Sequence, residues 1–226
     1  MLAREDAANG TAGAAIVLPT GAQMRVTGAP GRPAVVCING GQSAPVPGTW
    51  SASLEWLVRH VSPLCPTVAF SEVRYRIKSW HSLDLCEEDA RAAVAATGAQ
   101  RTLLLGFSMG GAVAVRIADA PSVEGILGLA PWLPDPLEFD PLRGRRLDVL
   151  HGSLDRPLPG IPGVRPSSSR RGFERARRLG IDGTYRLIPG ALHAIAVRAG
   201  SRVVPLPGAR RWATLVAERI NAWAAA

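Results

Sequence analysis

Short continuous apolar runs alternate with helical patterns along most of this sequence. The runs that resemble buried strands lie at 34–38, 101–105, 125–130 and 147–150. The segments with helical spacing or helix-terminating residues lie at 50–60, 83–97, 110–120, 167–179 and 210–223. Apolar strands joined by helical crossovers form a mostly parallel sheet with helices on both faces. We therefore expect an α/β fold.

Further strands are predicted at 67–75 and 184–188, and residues 14–18 and 23–27 resemble a hairpin around Pro-Thr-Gly. Right-handed crossovers place the carboxyl ends of parallel strands along one edge of the sheet, where ligands bind in open α/β folds. The connection at 131–146 is too short to hold a separate cap domain. A length of 226 residues fits one domain over 1–226, with residues 1–13 expected to fray.

The chain carries a formal charge of +8, and lysine occurs once, at Lys78. Arginines cluster at 143–146 and 165–178 without interleaved aromatic residues, apart from Phe173, so we expect a solvated surface and no nucleic-acid partner. No apolar run reaches the length of ~18 residues that a membrane span needs.

Three cysteines, Cys37, Cys65 and Cys86, follow no metal-binding spacing and cannot all pair. We interpret them as reduced, partly buried thiols. The first ten residues contain two carboxylates and no apolar stretch, so a signal peptide is not expected. Both observations favour a cytoplasmic protein.

The sharpest signal is the segment 106–111, Gly-Phe-Ser-Met-Gly-Gly, between a predicted buried strand and a helix of small residues. It fits the pattern G-x-S-x-G in the strand–turn–helix context that the pattern requires. The tight turn presents the serine hydroxyl above the sheet edge, and the helix directs its positive end toward it. We therefore predict that Ser108 is a nucleophile.

A serine nucleophile needs a base to accept its proton and a carboxylate to orient that base. His193 lies just past the last predicted strand and before the final helix, and Asp155 follows the strand before that one. The order Ser108, Asp155, His193 is that of a known catalytic triad. The other three histidines are less favoured as the base: we expect His60 at the surface, His151 in a structural role and His81 in the pocket lining. Asp135 and Asp140 are the less favoured alternatives for the acid.

A tetrahedral intermediate also needs two backbone N–H donors for its oxyanion. Met109, next to the nucleophile, should supply one. The strand 34–38 ends in Asn-Gly-Gly-Gln, and we assign the second donor to Gly41, with Gly40 and Gln42 as close alternatives. Gln42, Trp80 and Trp132 are predicted to contact the substrate, and Trp50 also lies in a suitable loop.

These residues together resemble the α/β-hydrolase superfamily, in particular small cap-less bacterial serine esterases and dienelactone-hydrolase-like proteins. The resemblance runs from about residue 34 to the end of the chain. It implies a mostly parallel sheet of about eight strands, a Ser-Asp-His triad and no cofactor. Many relatives have His-Gly where this chain has Asn39 and Gly40, and we expect the Asn39 side chain to hold the loop by hydrogen bonds.

The function expected from this combination is hydrolysis of a small-molecule carboxylic ester through an acyl-enzyme, by a monomer or small homo-oligomer. The same triad serves thioesters, lactones and amides. A second class of function is a weakly active relative that binds or scaffolds a ligand, because one fold hosts many activities.

Overall fold

The computed structural model describes residues 13–29, 31–157 and 163–226. The strands in these ranges are β1 (Ile16–Val17), β2 (Gln23–Thr27), β3 (Ala34–Ile38), β4 (Val46–Pro47), β5 (Ala69–Arg74), β6 (Ile77–Lys78), β7 (Thr102–Phe107), β8 (Val123–Leu129), β9 (Arg146–Gly152), β10 (Tyr185–Ile188), β11 (Ala196–Ala199) and β12 (Arg202–Pro205). The helices are α1 (Ala52–Val61), α2 (Leu83–Thr97), α3 (Met109–Arg116), α4 (Pro166–Arg178) and α5 (Ala209–Ala224). Of the predicted frayed end 1–13, residues 1–12 lie outside the described ranges.

One sheet of eight strands organises the fold, in the order β1-β2-β5-β3-β7-β8-β9-β10. The six strands β5, β3, β7, β8, β9 and β10 run parallel to one another. The strand β2 is antiparallel to β5, and β1 is antiparallel to β2, with which it forms the predicted hairpin. The mostly parallel sheet is therefore confirmed. Its parallel strands all end at one edge, as expected from helical crossovers.

Alternate side chains of β3 show how both faces of the sheet are buried. Val36 and Ile38 join an apolar cluster that includes residues of α2, α3 and α4. Val35 and Cys37 join a second cluster that includes residues of α1 and α5. Burial of each such side chain contributes roughly 1.5–3 kcal/mol. The predicted helices on both faces are confirmed.

The helix ends follow local signals in the sequence. The Ser51 side chain accepts a hydrogen bond from the Leu54 N–H and caps α1. The helix α2 ends at Gly98, which takes the left-handed conformation with φ +59°, as its position in the sequence predicts.

Two small antiparallel sheets were not predicted: β4 pairs with β6, and β11 pairs with β12. The connection between β8 and β9 contains one short 3₁₀ helix, Asp140–Leu142, and no larger insertion. The three cysteines are unpaired, as expected, but they are fully buried where partial burial was predicted. Among the residues that the structure describes, no helix combines the length and hydropathy needed to cross a bilayer.

Candidate active site

Ser108 occupies a strained turn between β7 and α3. Its φ is +55°, which is rare for a residue with a side chain and costs of order 1–3 kcal/mol. Its N–H donates to the Leu129 carbonyl at 3.0 Å, and its own carbonyl accepts from Gly111 and Trp132 at 2.9 and 2.8 Å. These bonds hold the backbone in the strained conformation that raises the hydroxyl above the sheet edge.

The two outer glycines of the G-x-S-x-G segment are required by close backbone contacts. A Cβ at Gly106 would lie 2.6 Å from the Gly110 carbonyl oxygen. A Cβ at Gly110 would lie 2.2 Å from the Ile38 carbonyl oxygen at the end of β3. The helix α3 can therefore begin against β3 only where these side chains are absent.

The structure brings the three predicted triad residues together at the carboxyl edge of the sheet. His193 Nε2 lies 3.1 Å from Ser108 Oγ, and His193 Nδ1 lies 2.6 Å from Asp155 Oδ2. Asp155 and His193 are buried, while Ser108 is partly exposed. The geometry links a hydroxyl, an imidazole and a carboxylate in one continuous chain of hydrogen bonds.

Asp155 has hydrogen-bond donors on both carboxylate oxygens. His151 Nε2 lies 2.9 Å from Oδ2, and the Val164 N–H donates to Oδ1 at 3.1 Å. Burial alone would raise the pKa of Asp155, but the hydrogen bonds from His151 and His193 outweigh it and lower the pKa below its ordinary value. Asp155 is thus held as a carboxylate. His151, interpreted from the sequence as structural, is fully buried and touches the candidate acid directly.

The loop that carries His193 is bonded to the loop that carries Asp155. The Leu154 N–H donates to the Ala191 carbonyl at 3.0 Å. A Cβ at Gly152 would lie 2.5 Å from the carbonyl oxygens of both Ala191 and Leu192, so glycine is needed where the loops cross. On the other side, the buried Ser53 hydroxyl accepts from the Ile195 N–H at 3.0 Å.

The predicted oxyanion loop packs against the start of α3. A Cβ at Gly41 would lie 2.1 Å from Met109 Sδ, and one at Gly40 would lie 3.3 Å from Ser108 Cβ. The Asn39 side chain donates to the Thr49 carbonyl at 2.9 Å, which confirms the expected hydrogen-bonding role of Asn39. The buried Tyr75 hydroxyl donates to the Asn39 carbonyl at 3.2 Å and fixes the loop from the other side.

A groove of about 380 Å³ opens at Ser108. Its lining comprises Asn39, Gly40, Gly41, Thr49, Trp50, Ser51, Ala52, Lys78, Phe107, Ser108, His193, Ala194 and Arg198. The Phe107 ring also lies 5.2 Å from that of His193, centroid to centroid, and backs the imidazole.

The residues predicted to contact substrate, Gln42, Trp80 and Trp132, do not line the groove at Ser108. Trp132 lines a separate groove with Leu83 and Pro136. Trp80 packs against the core on the α2 side, and its backbone N–H donates to the Gln42 carbonyl at 3.1 Å. Their roles toward substrate stay predictions, and Trp50 is the tryptophan that lines the groove at Ser108.

Four of the less favoured alternatives for the acid and the base do not line the groove at Ser108. Asp135 and Asp140 are exposed and pair with Arg175 and Arg143. His60 Nδ1 lies 2.7 Å from the Trp56 carbonyl within α1. His81 is exposed and does not line the groove at Ser108.

A partly buried ion-pair network lies beside the groove and was not recognised in the sequence. Arg25 on β2 forms two hydrogen bonds of 2.8 Å with Glu72 on β5, its partner in the strand register. Arg25 also contacts Glu55, which pairs with Arg198 at 2.7 Å. The Arg25 guanidinium lies 4.5 Å from the centre of the Trp50 ring and helps to fix it in the groove wall. The cross-strand position of Arg25 and Glu72 was the available signal, but it requires knowing which strands are neighbours.

No protein-family model matches this sequence, and neither does any curated protein. Solved structures do match its fold. A sugar hydrolase from Lactococcus lactis superposes with a TM-score of 0.68 at 14% identity, over 93% of this chain and 97% of the other. Carboxyl esterase 2 from Tuber melanosporum gives 0.67 at 13% identity, over 97% and 88%.

A third match is described as an α/β serine hydrolase without a lid, from Xanthomonas campestris. Its TM-score is 0.58 at 15% identity, over 94% of this chain and 93% of the other. At such identities the likeness concerns the fold. This chain has the α/β-hydrolase fold, and the residues that the structure describes form no separate cap domain.

Proposed function

We propose that this protein is a serine hydrolase that cleaves carboxylic esters through an acyl-enzyme. The observation that carries the proposal is the chain of hydrogen bonds from Ser108 Oγ to His193 Nε2 at 3.1 Å and from His193 Nδ1 to Asp155 Oδ2 at 2.6 Å. A serine hydroxyl becomes a competent nucleophile when such a base accepts its proton.

In the first half-reaction, Ser108 Oγ attacks the acyl carbonyl carbon while its proton passes to His193 Nε2. Asp155, held as a carboxylate, orients the imidazole and stabilises the imidazolium that forms. The tetrahedral intermediate then collapses, the bond to the alcohol oxygen breaks, and His193 protonates the departing alkoxide. The acyl group remains as an ester on Ser108.

In the second half-reaction, His193 takes a proton from water as the water oxygen attacks the acyl-enzyme. Collapse of this intermediate releases the carboxylic acid and returns the proton to Ser108. The N–H groups of Met109 and Gly41 are our candidates to hold the oxyanion in both intermediates. The Met109 N–H belongs to the first turn of α3, where backbone donors have no partner within the helix and the helix dipole favours negative charge.

The test is pre-steady-state hydrolysis of a p-nitrophenyl ester by the purified protein. We expect a burst of nitrophenol, equivalent to one acyl group per active protein, followed by slower turnover. Ser108→Ala and His193→Ala should abolish the burst, whereas His81→Ala, which changes an exposed histidine outside the groove, should retain it. A folded wild-type protein that shows neither burst nor turnover would contradict the proposal and favour a ligand-binding role.

The same triad can act on thioesters, lactones and amides, so the ester is compared with one substrate of each class. We expect the largest kcat/KM for the ester.

A further inference from the structure

The groove at Ser108 is lined by two basic side chains and by no carboxylate among its described residues. The cations are Lys78 and Arg198, and the remaining lining is neutral apart from the titratable His193. In a partly buried groove such charges act with less screening than at an open surface. The electrostatic character of the groove therefore favours a substrate that carries negative charge.

The two cations differ in how they are balanced. Arg198 pairs with Glu55 at 2.7 Å and belongs to the network that contains Arg25 and Glu72. Lys78 forms no ion pair with a carboxylate within the part of the chain that the structure describes; its one side-chain hydrogen bond there is to Thr49 Oγ1, at 2.8 Å. Among the described residues, Lys78 is thus the groove charge without a counterion.

In the described part of the chain, no ion pair offsets the cost of partly burying the Lys78 charge. It is half-buried, and burial lowers the pKa of its ammonium group below the ordinary 10.5, with no carboxylate opposing that shift. An ammonium group has three N–H donors, and Thr49 uses one. The other two donors have no partner among the described residues, which leaves them for a ligand in the groove.

The backbone around Lys78 is held in place by contacts with the loop opposite. Lys78 on β6 is the register partner of Val46 on β4. The Ser79 hydroxyl donates to the Ser43 carbonyl at 2.9 Å, and the Arg74 side chain donates to the Gly48 carbonyl at 2.9 Å. A fixed position matters because a preorganised donor loses less entropy when it binds a ligand.

We propose that Lys78 binds a carboxylate carried by the substrate, so that the protein prefers acidic esters to neutral esters of the same length. The inference rests on the proposed ester hydrolysis at Ser108. One uncompensated ammonium matches the single charge of a carboxylate better than the charge of nearly −2 on a phosphate monoester. Recognition by one charge-assisted hydrogen bond predicts a preference of about tenfold to hundredfold.

The test compares kcat/KM for matched esters by proton release. Monomethyl glutarate and methyl pentanoate place a carboxylate or a methyl group on the acyl side. Acetoxyacetate and ethyl acetate do the same on the alcohol side. We expect wild type to prefer the acidic member of at least one pair, Lys78→Met to lose that preference, and Lys78→Arg to regain part of it.

The matched control is Arg171→Met, which removes a positive charge from an exposed residue of α4 outside the groove. It should keep the wild-type ratio of acidic to neutral ester. Equal rates for both members of both pairs, or an unchanged ratio in Lys78→Met, would overturn the role of Lys78 while leaving ester hydrolysis intact.

Binding without turnover separates the two proposals completely. In the Ser108→Ala background, calorimetry measures the Kd of uncleaved monomethyl glutarate and of uncleaved acetoxyacetate, each with and without Lys78→Met. We expect the second substitution to raise the Kd of at least one of these acidic esters by about tenfold or more. An unchanged Kd for both esters would contradict the Lys78 proposal whether or not the wild-type protein hydrolyses esters.

Discussion

Replacing Gly41 by alanine should disable the proposed oxyanion site through one steric contact. The added Cβ would lie 2.1 Å from Met109 Sδ, 2.8 Å from Cε and 3.4 Å from Cγ. Carbon contacts are favourable only near 3.5–4.0 Å, so either the Met109 side chain or the Gly41 loop must shift. Because Met109 is buried in a packed core, its side chain has little room to move, and we expect the loop to shift and displace the Gly41 N–H. Loss of one such donor typically lowers kcat by ~10²–10³. We expect a loss of that size in ester hydrolysis, with a thermal unfolding scan showing that the variant is folded.

A second substitution tests whether the contact with the Met109 side chain is the cause. Met109→Ala keeps the Met109 N–H but removes the atoms that the new Cβ would meet. Alone it should destabilise the fold by roughly 2–5 kcal/mol, because Met109 is buried, and it should slow hydrolysis less than Gly41→Ala. The double variant should be faster than Gly41→Ala, a positive coupling in the double-mutant cycle. A Gly41→Ala protein within threefold of wild type would refute the reasoning.

Three further predictions follow from the described contacts. His151→Phe removes a hydrogen-bond donor from Asp155, so kcat should fall about tenfold while KM stays unchanged, because one charge-assisted hydrogen bond is lost. An unchanged kcat would show that His151 does not position the acid. For Asp148, burial raises the pKa, but hydrogen bonds from Arg146 and Thr184 outweigh this and lower the pKa below 3.8. Ionised Asp148 therefore stabilises the fold above pH 3.8, and that contribution is lost as the pH falls through the lower folded value. Asp148→Asn should reduce the free energy of unfolding, measured in urea, by about 1 kcal/mol at pH 7, and the difference in stability between wild type and variant should become smaller below pH 3.8. A difference in stability that grows in acid would contradict this. Burial raises the pKa of Cys65 and of Cys86 to about 11, and Cys37 is buried as well. A disulfide reagent should therefore modify the three thiols only after unfolding, and rapid reaction of the native protein would contradict their burial.

The sheet was predictable because its central strands are apolar on both faces. The strand β3 and the helix α2 begin and end where the sequence places them, one bounded by Asn39 and the other by Gly98. The helix α3 was predicted to reach residue 120 but ends at Arg116. A run of tight turns from Ile117 to Ala120 redirects the chain into β8, and these four residues include no glycine or proline that would mark the stop.

The short strands could not be predicted with the same means. The pair β4 and β6 has two residues in each strand, too few to show a period. The hairpin of β11 and β12 turns at Gly200, which has a φ of +58°, and the Gly-Ser at 200–201 was an available turn signal. The segment between His193 and α5 therefore contains more structure than the predicted loop.

The gathering of Ser108, Asp155 and His193 was predictable because parallel strands end at a common edge. The groove wall was not, because loops define it and side-chain-to-backbone bonds determine the paths of those loops. The bond from Asn39 to the Thr49 carbonyl helps to hold the segment with Trp50 in the groove wall. Lys78 reaches the groove because its strand, β6, pairs with β4, which precedes Thr49 in that same loop. Such contacts join positions whose proximity no local pattern reveals.

The central claim is that Ser108 is an activated nucleophile, and labelling with a fluorophosphonate tests it most directly. The reagent is added to wild type, Ser108→Ala, His193→Ala and His81→Ala, and intact mass with peptide mapping locates the adduct. We expect one adduct on Ser108 in wild type and His81→Ala, and none in the other two variants. An unlabelled wild-type protein that is folded, or an adduct that persists in Ser108→Ala, would contradict the account.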